Sequence, residues 1–190
     1  ALYELVDIMR TLEHDVKKLV ESGKGNNSDQ TWRRSSYRAV FSWIEGVVYQ
    51  MKQVAVCTQG GFYQAKFSRA EIAFLQEESY YLDDSGHVKT RNNNFSEIDR
   101  NLRFAYTKLA EGLELSIRLD VGVHGWEQFK EAKKIRNCLT HPKNSSELIV
   151  TDENMQALSD TIQWFNAQLP KLINDALAGV QPRLERIRAE

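Results

Sequence analysis

The absence of proline before Pro142 is the feature that most restricts how this chain can fold. The 190-residue sequence has three prolines, at Pro142, Pro170 and Pro182. Proline interrupts helices because it lacks a backbone N–H and its ring clashes with the preceding turn. Along most of the proline-free region, apolar residues recur at three- and four-residue steps, which is the spacing of one helix face. The sequence therefore predicts an all-α protein with long helices.

The apolar spacing divides the chain into helices with polar connections. Long core helices are predicted at about 30–58, 96–119, 126–140 and 151–178. A shorter helix begins after Ser68, because Ser68 and Glu71 match a capping box. Pro170 is expected to kink or break the last helix, and His87 to Thr90 suit a short strand. The prediction is a single helical bundle of about five to seven helices over residues 1–190, with a short strand or hairpin in the loops.

Composition restricts the class of protein. Hydrophobic residues make up 42% and charged residues 27% of the chain, which is typical of a soluble globular protein. The net charge of −1 argues against a protein that coats nucleic acid, but it leaves room for a local basic site. The two cysteines, Cys57 and Cys138, favour a reduced, cytoplasmic protein. The sequence has no signal-peptide pattern and no long apolar run, so no membrane contact is expected.

Several kinds of active site are disfavoured by the sequence. It contains no GxxxxGK[ST], GxGxxG, HExxH or GxSxG pattern. The four histidines are scattered, so neither a metal nor a cofactor is expected. Cys138 is close in sequence to His141, but helical geometry aims its side chain about 60° away round the helix axis. That angle disfavours a thiol nucleophile.

The end of the predicted 126–140 helix carries the residues best suited to chemistry. Arg136 and His141 lie five positions apart, and Pro142 follows His141 directly. The residue before a proline is pushed out of the helical region, so His141 is expected at the helix terminus, facing a cleft. Arginine is always cationic and pairs with phosphate oxygens through two N–H groups, whereas histidine exchanges protons near neutral pH. The pair suits phosphodiester chemistry.

Helical spacing places Arg136 on the apolar face of its helix, in line with Phe129 and Ala132. A buried cation is costly unless a carboxylate pairs with it. Glu45 is the predicted partner, since it borders the core stripe of the longest helix. The same pattern is also explained by a salt bridge that only stabilises the fold, and the local sequence does not separate the two interpretations.

Basic residues recur near this stretch and at the start of the longest helix. Lys133 and Lys143 flank the Arg136 region, and Arg33 and Arg34 follow a tryptophan. Such groups stack on bases and pair with phosphates, so these four residues are candidate nucleic-acid contacts. A solvated charged face explains the lysines equally well. A tryptophan followed by two arginines is more often surface packing with a solvated arginine.

The stretch Arg136-Asn137-Cys138-Leu139-Thr140-His141 resembles the motif of the HEPN superfamily. Members of this superfamily are all-α domains in which an arginine is followed, after four to six residues, by a histidine. The residue after the arginine is commonly polar, often asparagine, as Asn137 is here. The motif also lies where the family has it, at the end of a late helix before a final long one. The resemblance covers roughly Gln30 to Leu177.

The resemblance implies a metal-independent endoribonuclease in which two protomers bring their motifs together across a dimer interface. His141 would then act as general acid or base on a ribose 2′-hydroxyl or the leaving oxygen. Arg136 would bind the scissile phosphate and stabilise the phosphorane-like transition state, and Asn137 would orient the phosphate or the histidine. Glu45 would support Arg136, although the motif itself does not specify it.

Members of the family differ in what they do. Many act in bacterial toxin–antitoxin or phage-defence systems, often beside a nucleotidyltransferase antitoxin, so RNA, a second protomer and an antitoxin or other protein are the expected partners. Other members bind RNA or nucleotide without cutting, or only scaffold a complex. Two further hypotheses are therefore a non-catalytic interaction module of this fold and a plain helical domain with a structural Arg136.

Overall fold

The structure is a computed structural model that describes residues 2–23, 28–59, 67–78, 80–82, 84–90 and 97–189. Six α-helices are found among these residues: α1 (Leu2–Ser22), α2 (Gln30–Cys57), α3 (Arg69–Leu75), α4 (Ile98–Gly112), α5 (His124–Thr140) and α6 (Asp152–Ala189). The prediction of an all-α fold with five to seven helices is confirmed. One 3-10 turn, Ser145–Leu148, lies between α5 and α6.

A short hairpin separates α3 from α4. Its strands are β1 (Tyr80–Leu82) and β2 (Val88–Thr90), which pair antiparallel with Tyr80 opposite Thr90. The second strand lies within the stretch for which a short strand is predicted.

The fourth helix was expected to span about 96–119, and its predicted end near 119 is wrong. Its predicted start at Ser96 lies outside the described residues. The helix ends at Gly112. Glu114 has a φ of 56°, in the left-handed region, and the N–H of Leu115 donates to the carbonyl of Ala110 at 2.8 Å. This pattern closes a helix by turning the chain back over its last carbonyls.

Pro170 does not break α6, which runs from Asp152 to Ala189 as one helix. A proline inside a helix removes the N–H that would bond to the carbonyl four residues earlier, here that of Asn166. Pro170 is exposed, so that carbonyl lies toward the solvent side, where water can satisfy it. Of the two predicted effects of Pro170, a break is contradicted, and a kink stays a prediction.

The chain divides into two compact units. The first comprises Ala1–Leu5, Val48–Arg118 and Asp175–Glu190, and the second comprises Val6–Val47 and Leu119–Asn174. All of the predicted site residues belong to the second unit. The single domain expected over residues 1–190 stays a prediction.

The core of the second unit is built from aromatic rings of α2, α5 and α6. Trp43 meets Phe165 edge to face with centroids 4.9 Å apart, and Trp126 lies 5.4 Å from Trp164. Phe129 lies 5.6 Å from Trp164 as well. Aromatic pairs of this kind each add roughly 0.5–1.5 kcal/mol beyond the burial of their surface. They fix α5, which carries the candidate site, against its two neighbours.

In the first unit, the predicted capping box at the start of α3 is present. Ser68 Oγ accepts from the N–H of Glu71 at 3.3 Å, and the N–H of Ser68 donates to the Glu71 carboxylate at 2.8 Å. Lys108 of α4 also pairs with Glu71. The hydrogen bond from Lys108 and those from Ser68 lower the pKa of Glu71 to about 2.

We expect the Glu71 carboxyl to titrate near pH 2 rather than near the ordinary value of 4.5. Because its pKa is lowered by folding, Glu71 contributes stability above pH 4.5 that is lost as the pH falls toward 2. Carboxyl carbon NMR across this range measures the midpoint directly. A Glu71 midpoint near 4.5 would show that these hydrogen bonds do not persist in solution.

Gly125, in the first turn of α5, is required by close packing. A Cβ atom there would lie 2.6 Å from Cγ of Trp164 and closer still to its Cβ. Gly125→Ala is therefore expected to lower the free energy of unfolding by roughly 1–3 kcal/mol, the usual cost of overpacking a core. Gly122→Ala is the matched control, because nothing lies within 4 Å of a Cβ at that position. Urea unfolding of both variants measures the difference, and equal stabilities would contradict the packing.

Candidate functional site

Arg136 lies near the C-terminal end of α5 and is held from three sides. Its Nη2 donates to the Glu45 carboxylate, and its Nη1 donates to Oδ1 of Asn137 at 3.2 Å. The guanidinium carbon also lies 5.7 Å from the centroid of the Phe41 ring, within the range of a cation–π contact. Phe41 and Glu45 are four residues apart on α2 and so share one helix face. The predicted pairing of Arg136 with Glu45 is confirmed.

The pair is less buried than the apolar spacing suggests. The side chain of Arg136 is 28% exposed and that of Glu45 is 42% exposed. Arg136 therefore begins on the apolar face, but its long side chain carries the guanidinium to the edge of the core. This half-buried position removes part of the desolvation cost that a fully buried ion pair would carry.

The hydrogen bonds of Arg136 leave part of its guanidinium available. An arginine has five N–H donors. Among the described residues, Glu45 and Asn137 accept from one donor each. The remaining donors at the exposed edge suit an oxyanion. The carboxylate of Glu45 also offsets the charge of Arg136, so the free site is close to electrically neutral.

His141 ends α5, as its position before Pro142 predicts. Its backbone leaves the helical region, with φ −131° and ψ 62°, and its N–H donates to the carbonyl of Asn137 at 3.0 Å. The residue is exposed. Among the residues that the structure describes, none forms a hydrogen bond with its imidazole. Both ring nitrogens are therefore accessible to a substrate.

Asn137 and Thr140 complete the last turns of α5. Thr140 Oγ1 donates to the carbonyl of Arg136 at 2.9 Å, and Asn137 braces the Arg136 guanidinium through its side-chain oxygen. The structure thus brings Arg136, Asn137 and Glu45 into contact, with Arg136 against one face of α2. His141 follows at the C-terminal end of the same α5 helix. The amide NH₂ of Asn137 remains a second donor beside the guanidinium.

The position of Arg33 does not suit its predicted role as a nucleic-acid contact. It is buried, with 7% of the residue exposed. Its Nη1 donates to the carbonyl of Val150 at 2.7 Å, and its Nη2 pairs with Asp152. A guanidinium engaged in this way stabilises the chain segment between α5 and α6. The interpretation as an RNA contact is therefore replaced by a structural one.

Arg34 is half-buried and also engaged within the protein. Its Nη1 donates to the carbonyl of Leu148 at 3.1 Å, and its Nη2 lies 3.5 Å from Thr31 Oγ1. Both arginines at the start of α2 thus hold the segment that follows His141. Sequence spacing does not reveal this, because the partners lie more than 110 residues further along the chain.

The lysines near the site are of two kinds: those of α5, which have interaction partners, and Lys143, which follows the helix. Lys130 and Lys134 pair with glutamates three residues earlier on α5, at 2.6 and 2.8 Å, as on an ordinary solvated face. Lys133 is half-buried and has an interaction partner. Lys143 is exposed two residues after His141. Of the predicted basic contacts, Lys143 has the placement that best suits a phosphate next to the site.

Three further observations concern the described part of the chain. No group of three or more histidine, cysteine, aspartate or glutamate residues within it is arranged to hold a metal ion. None of its helices combines the length and the apolar character that crossing a bilayer requires. Cys57 and Cys138 are both free thiols.

Comparison with known proteins adds no relative. No protein-family model, curated protein or solved structure matches this chain at a significant level.

A double-mutant cycle on Glu45→Gln and Arg136→Met measures how far this pair stabilises the fold. Since both side chains are partly exposed, we expect a coupling of about 1 kcal/mol or less in urea unfolding. The exposed pair of Glu131 and Lys134 is the control, with a coupling near zero. A coupling of about 3 kcal/mol or more would mark Arg136 as a mainly structural residue.

Proposed function

We propose that the chain is a HEPN-like, metal-independent endoribonuclease that works as a homodimer. The observation that carries the proposal is the arrangement at the end of α5. Arg136 is held by Glu45 and Phe41 with donors to spare, and His141 is exposed at the helix terminus. A fixed phosphate-binding cation and an accessible imidazole, both carried by the end of one helix, are the groups that RNA cleavage without a metal would use.

The chemistry is an internal transfer of the phosphoryl group. The imidazole of His141 accepts the proton of the ribose 2′-hydroxyl, and the 2′-oxygen forms a bond to phosphorus. The bond from phosphorus to the 5′-oxygen breaks, and that oxygen takes a proton from a second acid. The products are a 2′,3′-cyclic phosphate and a 5′-hydroxyl end. The N–H groups of Arg136 donate to the phosphorane oxygens, where negative charge builds up.

The magnitudes suit such an enzyme. A positioned acid or base contributes roughly 10²- to 10⁴-fold. The loss of one preorganised donor to developing charge costs on the order of 10²- to 10³-fold. Asn137 supports the arginine by accepting from its Nη1. Its own NH₂ group can donate to the same phosphate.

A second protomer supplies the second proton carrier. The reaction needs both a proton acceptor and a proton donor, and the end of α5 presents a single imidazole. His124 belongs to the opposite end of the same helix, where it lies 3.3 Å from Asp160. Two copies facing one another across a twofold axis would place one His141 on each side of the scissile bond.

The proposed setting is a cytoplasmic toxin–antitoxin or phage-defence type system. A metal-independent ribonuclease would need restraint in its own cell, and an antitoxin or other protein partner that covers the end of α5 would provide it. RNA approaches the site on the side of Lys143, which is an exposed residue two positions after His141.

A non-catalytic RNA- or nucleotide-binding or protein-interaction module is the second candidate. One observation favours it, namely that Glu45 offsets the charge of Arg136 in a chain whose net charge is −1. Such a module would bind RNA in a salt-dependent way without forming product. If RNA does not bind at any salt concentration, a protein partner is the remaining ligand.

Cleavage of RNA in EDTA tests the enzyme directly. The wild-type protein is expected to cut RNA and to leave 2′,3′-cyclic phosphate ends, whereas His141→Ala should lose activity by about 10²-fold or more. His124→Ala is the matched control, since this histidine is exposed at the other end of α5, and it should retain full activity. Cleavage that persists unchanged in His141→Ala would exclude the mechanism.

A further inference from the structure

Side chains from the first turns of α2 bind the segment that connects His141 to α6. The side-chain amide of Gln30 exchanges two hydrogen bonds with the backbone of Val150. Its Nε2 donates to the carbonyl at 3.0 Å, and its Oε1 accepts from the N–H at 2.8 Å. Gln30 thus pairs with Val150 as a neighbouring strand would. Val150 itself is fully buried.

Arg33 and Arg34 extend this hold along the same segment. Arg33 donates to the carbonyl of Val150 at 2.7 Å, and Arg34 donates to the carbonyl of Leu148 at 3.1 Å. Charge-assisted hydrogen bonds of this kind are roughly twice as strong as neutral ones. Three side chains at the very start of α2 therefore fix two backbone carbonyls of the segment.

Hydrogen bonds among the residues between His141 and Leu148 couple the backbone held by α2 to the position of His141. The N–H of Lys143 donates to the Glu147 carboxylate at 2.9 Å. Asn144 Oδ1 accepts from the N–H of Glu147 at 3.2 Å and caps the 3-10 turn Ser145–Leu148. The connection after His141 is therefore hydrogen-bonded internally and does not hang as a free loop.

From these contacts we infer that Gln30, Arg33 and Arg34 are positioning residues for His141, and that none of them is a phosphate contact. The imidazole of His141 is exposed, so its location depends on the backbone at the end of α5 and on the segment that leaves it. The same helix, α2, carries Glu45 and Phe41 against Arg136. One helix thereby sets the spacing between the two functional groups, with its start holding the histidine side and its middle holding the arginine.

This inference deepens the proposed ribonuclease function and rests on it for the catalytic consequence. Its structural part, that α2 sets the position of His141, is tested without any activity. NMR of the histidine rings provides that readout, and His141→Ala identifies the resonances of this ring.

Arg34→Met and Gln30→Met are expected to shift the ring resonances of His141. Arg38→Met is the control, because Arg38 is an exposed arginine one turn after Arg34 on α2 and loses the same charge. It should leave the His141 ring unchanged. Gln30→Glu keeps the acceptor for the Val150 N–H, so the protein should stay stably folded. It should shift the His141 ring resonances less than Gln30→Met does. If the His141 ring is unmoved in Arg34→Met, Gln30→Met and Gln30→Glu alike, the inference is overturned.

RNA cleavage kinetics separate positioning from phosphate binding. A positioning role predicts that Arg34→Met lowers kcat by roughly ten- to a hundredfold, as displaced catalytic groups do, with KM close to that of Arg38→Met. A phosphate contact predicts instead a raised KM and a salt-dependence slope of RNA binding that falls by about 1. The second pattern would contradict the inference. If the wild-type protein does not cleave RNA, the proposed function fails, and the His141 resonances still decide the positioning role.

Discussion

The ion pair between Arg136 and Glu45 is the contact on which the organisation of the site depends. A cation that begins on the apolar face of α5 requires a carboxylate from a neighbouring helix, and α2 supplies one at the edge of its buried stripe. The pair therefore joins two helices and orients the guanidinium at the same time. Because the pair is partly exposed, it is weaker than a buried ion pair. Glu45 orients the arginine, and the edge of the guanidinium that faces water stays available to another anion.

The aromatic core beneath the pair gives that orientation a rigid base. The Phe41 ring lies under the guanidinium and 6.1 Å from Phe129, which in turn packs against Trp126 and Trp164. These contacts join α2, α5 and α6 close to the functional groups. Interiors of this kind are close-packed and yield little. A displacement of the α5 backbone at Arg136 would therefore require repacking of the rings, so the point from which the guanidinium extends is well defined.

Local sequence patterns were sufficient to predict the features with short-range causes. The all-α fold, the capping box at Ser68 and the end of α5 at His141 follow from helical spacing, cap chemistry and the residue before a proline. The pairing of Glu45 with Arg136 was also predicted, because burial of a charge requires a partner and α2 places few carboxylates beside its core stripe. The first three features depend on residues close in sequence. The ion pair joins residues 91 positions apart, but the position of each on its own helix follows from local spacing.

The features that were missed depend on long-range or conformational facts. The local sequence leaves Arg33 as a candidate RNA contact, because nothing near it shows that Val150 and Asp152 return to the start of α2. The end of α4 depends on Glu114 adopting a conformation that glycine usually takes. The continuity of α6 depends on which side of the helix Pro170 faces. None of these is encoded in the spacing of apolar residues.

The neutral character of the site has a consequence for how RNA would reach it. Proteins that capture polyanions rapidly do so with a long-range positive field, which raises association rates far above the 10⁵–10⁶ M⁻¹s⁻¹ typical of unsteered encounters, by roughly 10²- to 10³-fold. Here Glu45 cancels Arg136, the glutamates of α5 cancel Lys130 and Lys134, and the whole chain carries −1. An enzyme with this charge distribution would not attract RNA over long distances. Its turnover in dilute substrate would be limited by unguided diffusion, so bringing transcripts to it would be an effective means of control.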